Sequence, residues 1–146
     1  MKKVIEQLNK LQADAHALFV AFHDYHWNVK GMDFYQIHAY TEKAYENMAT
    51  LFDDMAERAL QLGGKAVVKV DELTKLAKAP TISKASYKGE EVLKAVLKAD
   101  EYLIAEFKKL ESEAEKAGDA TTVAIAQGEY AKLEKEVWML KNTLAK

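Results

Sequence analysis

Apolar residues recur along this chain in alternating steps of three and four, over four long segments. The first carries Leu8, Leu11, Ala15, Leu18, Phe22 and Tyr25, and the second Ile37, Thr41, Ala44, Met48, Leu51, Met55 and Leu62. The third runs through Val96, Leu103, Phe107, Leu110 and Ala114, and the fourth through Val123, Tyr130, Leu133, Val137, Leu140 and Leu144. That rhythm keeps one stripe of a helix facing a core, so the pattern predicts four helices packed as an antiparallel bundle.

Breakers fall between those segments. Lys30-Gly31-Met32-Asp33 separates the first two, with Asp33 placed to cap the second helix. Gly63-Gly64 ends the second helix, and Gly118-Asp119 precedes the fourth, with Asp119 as its cap. Between roughly residues 65 and 88 lies a longer connection holding Pro80, and its middle, Val70 to Ala79, suits a short helix of its own. One long crossover between helices two and three gives the all-α, ferritin-type arrangement of a four-helix bundle. No repeat or second unit is visible, so residues 1–146 read as a single domain.

Composition narrows the chemistry. With 49% hydrophobic and 30% charged residues the chain reads as an ordinary globular protein. It contains no Cys, so any metal must be held by His and carboxylate. The opening MKKVIEQLNK leads into no continuous apolar run, so neither a signal peptide nor a membrane span is expected and the default location is cytoplasmic. Net charge is −2, and the 21 basic residues, 20 Lys and Arg58, are spread along the chain. That distribution argues against strong general attraction to nucleic acid.

The candidate metal ligands are His26, His38, Asp53 and Glu57. His26 ends helix one and His38 opens helix two, so the hairpin turns them toward each other; Asp53 and Glu57, four apart, share one face of helix two. Imidazole with carboxylate suits iron, manganese or zinc. The 15 positions from His38 to Asp53 correspond to roughly 22 Å along a helix axis, too far for one ion. Two copies of helix two packed antiparallel, with the twofold axis near Tyr45 and Glu46, bring His38 of one chain to Asp53 and Glu57 of the other. The Glu-x-x-His pairs of an ordinary ferritin bundle site occur nowhere in the sequence. His16 is read as solvated. His23, three residues before His26, either supports the site or simply packs or is solvated.

The run His26-Trp27-Asn28-Val29-Lys30-Gly31, followed by Phe34, His38 and Glu42, resembles the first signature of the Dps miniferritins, the DNA-protection-during-starvation proteins. Phe52-Asp53-Asp54-Met55-Ala56-Glu57-Arg58 and then Leu62-Gly63-Gly64 match the second, in the same order. The short termini are similar to the neutrophil-activating-protein-like form of that family. The resemblance implies a dodecameric shell built from antiparallel dimers. Each dimer interface would carry ferroxidase sites with His26 and His38 from one chain and Asp53 and Glu57 from its partner. It further implies two irons per site, Glu42 near the second iron or its water, and Trp27 beside the site. The Trp27 ring either packs there or quenches a radical, or else it is an aromatic buried in the dimer contact. Asp54 and Arg58 are spaced to pair on the helix surface or across the dimer.

The implied activity is oxidation of Fe(II) by hydrogen peroxide, with dioxygen less effective, and storage of Fe(III) mineral in the cavity. Family pores lie near the start of helix four, where Asp119 and Glu129 are candidates, although a solvated face is the simpler reading for both. The rival function is DNA binding and compaction, for which Lys2, Lys3, Lys141 and Lys146 are the only terminal lysines on offer. An immune or adhesive role of short-tailed relatives is a further, coexisting reading.

Overall fold

The computed structural model describes Met1–Lys146. Its order is α1 (Lys2–Asn28), β1 (Val29–Lys30), α2 (Phe34–Gln61), α3 (Val70–Leu76), β2 (Tyr87–Lys88), α4 (Gly89–Lys116) and α5 (Ala120–Leu144). The expected ferritin-like bundle with a short helix in the crossover is therefore present. Helices α1 and α2 form one hairpin, α4 and α5 the other, and α1 also packs on α4. No helix is long and apolar enough to cross a membrane.

The core follows the stripes read from the sequence. Leu8, Leu11, Leu18 and Phe22 of α1 meet Met48, Leu51 and Met55 of α2 and Leu103, Phe107 and Leu110 of α4, all buried in one cluster. Helix α5 departs from this pattern. Of its expected stripe only Leu140 is buried, while Val123, Tyr130, Leu133, Val137 and Leu144 are half-buried.

Polar side chains on α1 fasten the crossover. The Gln12 amide donates to the Val67 carbonyl at 2.8 Å and accepts the Val67 N–H at 2.9 Å. Asp14, fully buried, accepts the N–H groups of Lys78 and Ala79 at 2.7 and 3.0 Å and the Tyr102 hydroxyl at 2.8 Å. These bonds explain why α3 stops at Leu76 rather than reaching Ala79. Two amides that a longer helix needs are turned toward Asp14, and Pro80 disfavours helical geometry at Ala79. The crossover ends in β2, which runs parallel to β1 with Val29 opposite Tyr87, a pairing the periodicity did not reveal.

Caps follow the sequence in part. Gly63 takes the left-handed conformation that closes α2 (φ 85°). Asp119 caps α5, accepting the Thr122 N–H at 3.0 Å. Asp33 stands at the N-cap of α2 but makes no capping bond. Its carboxylate instead lies against Gly89, where an added Cβ would come within 2.0 Å of Oδ2.

Within the chain, Arg58 does not make the helix-surface pairing, one of the two expected. Its guanidinium contacts Asp119 at 3.0 Å and the Thr122 hydroxyl at 2.9 Å, so it joins α2 to the start of α5 instead of pairing with Asp54. Asp119 is accordingly a buried cap and ion-pair partner, not a solvated residue. Burial pushes its carboxyl pKa up, but the bonds from Thr122 and Arg58 outweigh that and hold it below its usual value. Either Arg58→Ala or Asp119→Ala should cost about 1–3 kcal/mol of stability near neutral pH, read as a lowered unfolding midpoint. The Asp119 contribution is present above the unfolded carboxylate pKa of about 4 and is lost as pH falls through the depressed folded value, so the gap between wild type and Asp119→Asn should close on acidification.

Candidate metal centre

Two separate groups of ligand-type side chains emerge from this scaffold. The β1 strand and the turn through Gly31 reverse the chain within a few residues, which sets the last turn of α1 beside the first turn of α2. There the His26 and His38 rings stack, with centroids 3.6 Å apart and planes 15° from parallel. Phe34 covers the other face of His38 at 4.9 Å.

The two histidines orient each other through the backbone. Nδ1 of His26 lies 2.8 Å from the His38 carbonyl, and Nδ1 of His38 lies 2.9 Å from the His26 carbonyl. A carbonyl oxygen only accepts, so both Nδ1 atoms carry a hydrogen, and in the neutral form of either ring Nε2 is the nitrogen with a free lone pair. Thr41 adds to this arrangement, its hydroxyl donating to the Ile37 carbonyl at 2.8 Å and lying 3.1 Å from Nδ1 of His26. His26 is only 5% exposed. Burial lowers its pKa most, and the charge of His38 pushes the same way, against the raising effects of the His38 carbonyl and Glu42. The net shift is downward, which keeps the ring neutral, the form that binds metal. Glu42 is exposed, one turn beyond His38.

His23 packs rather than standing free in solvent. Its ring stacks on Tyr45 at 3.7 Å, and its Nδ1 is bound to the Phe19 carbonyl at 2.7 Å. Trp27 lies 5.1 Å from His23 and is 66% exposed in the single chain, so its indole is free for a neighbour. His16 is half-buried beside Phe52 and is not simply solvated.

The second group sits further along α2. Carboxylate oxygens of Asp53, Asp54 and Glu57 lie within 4.8 Å of one another, all three exposed. Because Arg58 turns away to Asp119, Asp54 joins the acidic cluster instead of being neutralised. An uninterrupted α2 separates this cluster from His38 by roughly 22 Å, so one chain leaves the two groups apart. Thr41, Tyr45 and Asp54 are the neighbours that ligand spacing alone did not single out. A hydroxyl interrupting an otherwise apolar stripe was the available signal for Thr41.

The model of the ferritin-like domain matches residues 5–146. The DNA protection during starvation protein of Helicobacter pylori is 45% identical over 98% of this chain and 99% of its own length. The chain belongs to the Dps family of miniferritins. Bacillus anthracis DNA protection during starvation protein 2 is 38% identical, over 96% of this chain and 95% of its own. Among solved structures, Helicobacter cinaedi CAIP superposes on this Dps chain with a TM-score of 0.94 at 43% identity, covering 97% of this chain and 99% of that one. The Dps protein of Vibrio cholerae, described as a member of a broad superfamily of ferritin-like diiron-carboxylate proteins, gives a TM-score of 0.92 at 26% identity, over 98% of this chain and 89% of that one.

The tautomers are directly measurable in this Dps. Nitrogen NMR of 15N-histidine-labelled protein at neutral pH should show His26 and His38 protonated at Nδ1 and bare at Nε2. Addition of Zn(II) should shift the Nε2 resonances. Nε2–H tautomers at both positions would contradict the carbonyl-directed arrangement.

Proposed function

We propose that this Dps is the single-domain subunit of an iron-oxidising and iron-storing shell, and that its oxidation sites are completed between two chains. The observation that carries the reading is the division of the ligands. Two imidazoles oriented by backbone carbonyls sit at one end of α2 and an exposed carboxylate cluster at the other, on a helix too long for them to meet. An antiparallel pairing of α2 about a twofold near Tyr45 and Glu46 joins His26 and His38 to the partner subunit's Asp53 and Glu57, and creates two identical sites. Such dimers are the building unit of a dodecamer, located in the cytoplasm.

Fe(II) is the substrate. The imidazole Nε2 atoms and a carboxylate hold the first iron, and Glu42 with water completes a weaker second position. Two Fe(II) ions deliver two electrons to one hydrogen peroxide, which takes up two protons and leaves as two waters. Paired delivery avoids releasing hydroxyl radical. Carboxylates favour the harder Fe(III) product, and the small number of protein ligands leaves coordination positions for the oxidant. Zinc and manganese fit the same ligands and would compete for them. Fe(III) then hydrolyses and accumulates as mineral inside the shell. Net charge of −2 with dispersed lysines gives little support for tight DNA binding, so protection is assigned to the removal of Fe(II) and peroxide together.

Anaerobic loading of the assembled protein with Fe(II), followed by peroxide or air, tests the reading. Expected is rapid oxidation, faster with peroxide, with iron co-eluting with a particle of dodecamer mass. His38→Ala and Asp53→Ala should each slow oxidation at least tenfold, taking about tenfold as the minimum for losing a ligand. Co-expressed in equal amounts, the two variants should recover roughly a quarter of the sites, because half the dimers are mixed and each mixed dimer holds one intact site and one doubly broken. No recovery in the mixture would sink the two-chain site.

A further inference from the structure

The core stripe of α4 contains an ionisable group. Between Val96 and Leu103 the helical spacing places Asp100 among the buried positions, and it is only 3% exposed. Its Oδ2 has no hydrogen-bond partner. Asp100 lines a cavity of about 190 Å³ between α2, α4 and α5, together with the apolar Phe22 and Val96 and the polar Asn47, Thr50 and Glu136.

No cation of the chain neutralises this pocket. Lys132 also lines it, but its ammonium is paired with Glu129 at 3.1 Å. Glu136 is half-buried and accepts the Tyr40 hydroxyl, leaving its other oxygen available. Burial first, and then the negative charges of Glu136 and Glu101, push the Asp100 carboxyl well above its ordinary range. A buried carboxyl with an unpartnered oxygen, lining one cavity with a second carboxylate, is the arrangement that a bound cation relieves.

We propose that Asp100 and Glu136 hold a divalent cation in this cleft, inside a single bundle and apart from the histidine site. The donors are all oxygen, with Asn47 and Thr50 able to add an amide carbonyl and a hydroxyl, so the site takes hard ions of the Mn(II), Mg(II) or Fe(II) class rather than zinc. One copy exists in every chain and needs no partner subunit. Asp54 of the acidic cluster also lines this cleft, but Asp100, Glu136, Asn47 and Thr50 are not among the ligands of the proposed oxidation site, so their variants test the cleft separately.

Mn(II) titration of the assembled protein, followed by electron paramagnetic resonance, tests it. Wild type should retain one tight Mn(II) per chain more than either Asp100→Asn or Glu136→Gln, whatever the histidine–carboxylate site also holds. The same ion should persist in His38→Ala, while Fe(II) oxidation measured on the two cleft variants stays within twofold of wild type. An unchanged Mn(II) count in either cleft variant overturns the proposal. Glu136→Gln alters a half-buried surface position and so keeps the test available if Asp100→Asn fails to assemble. Because oxidation and Mn(II) retention are read on the same samples, failure of one reading is distinguishable from failure of the other.

Discussion

The unbroken length of α2 is the constraint on which this molecule's chemistry depends. A hydrogen-bonded helix of 28 residues does not bend to bring its ends together, and it carries the candidate ligand His38, beside His26 of α1, near one end and the candidate carboxylates toward the other. A site inside the bundle of the ordinary ferritin kind is excluded by the missing Glu-x-x-His pairs. The proposed alternative is assembly. In the proposed dimer the same rigidity that keeps the two groups apart fixes how they meet, because an antiparallel twofold sets both sites at once.

The histidine end of that helix is held by parts of the chain distant in sequence. Gln12 and Asp14 tie the crossover to α1, and further along the Tyr25 hydroxyl accepts the Ile82 N–H at 3.0 Å. Tyr87 donates to Asp24 at 2.5 Å and brings β2 against β1, directly after His26 and Trp27. The crossover is therefore more than a connector. It braces the turn that stacks His26 on His38, and each buried polar group in it is answered by a partner, as a stable core demands.

Periodicity made the helices and most of the core legible, because a stripe of apolar residues declares which face is buried. It also placed His26 against His38, and Asp53 beside Glu57, because helix and hairpin geometry are local rules. What it left unread were partners set by tertiary packing. The pattern that suggested Asp54 with Arg58 could not show that Asp119, 61 positions away, offers Arg58 a buried cap to join. Asp14 and Asp100 both interrupt core stripes with a charge. The first is satisfied by loop amides and the second is left open, and no spacing rule tells these cases apart. The half-covered stripe of α5 likewise reads from sequence as an ordinary core face.

The two halves of the candidate centre also differ in how far they are prepared. His26 is buried and His38 half-buried, and both are oriented by carbonyls, so their geometry would need no further ordering in the proposed site. Asp53, Asp54 and Glu57 are exposed and mutually repelling, with no hydrogen bond fixing them. A cation seated between that cluster and the two imidazoles would offset the repulsion. In the proposed dimer, metal binding and dimer formation would therefore favour each other through the same contact, with the stacked histidines as the fixed half against which the carboxylates are drawn into place.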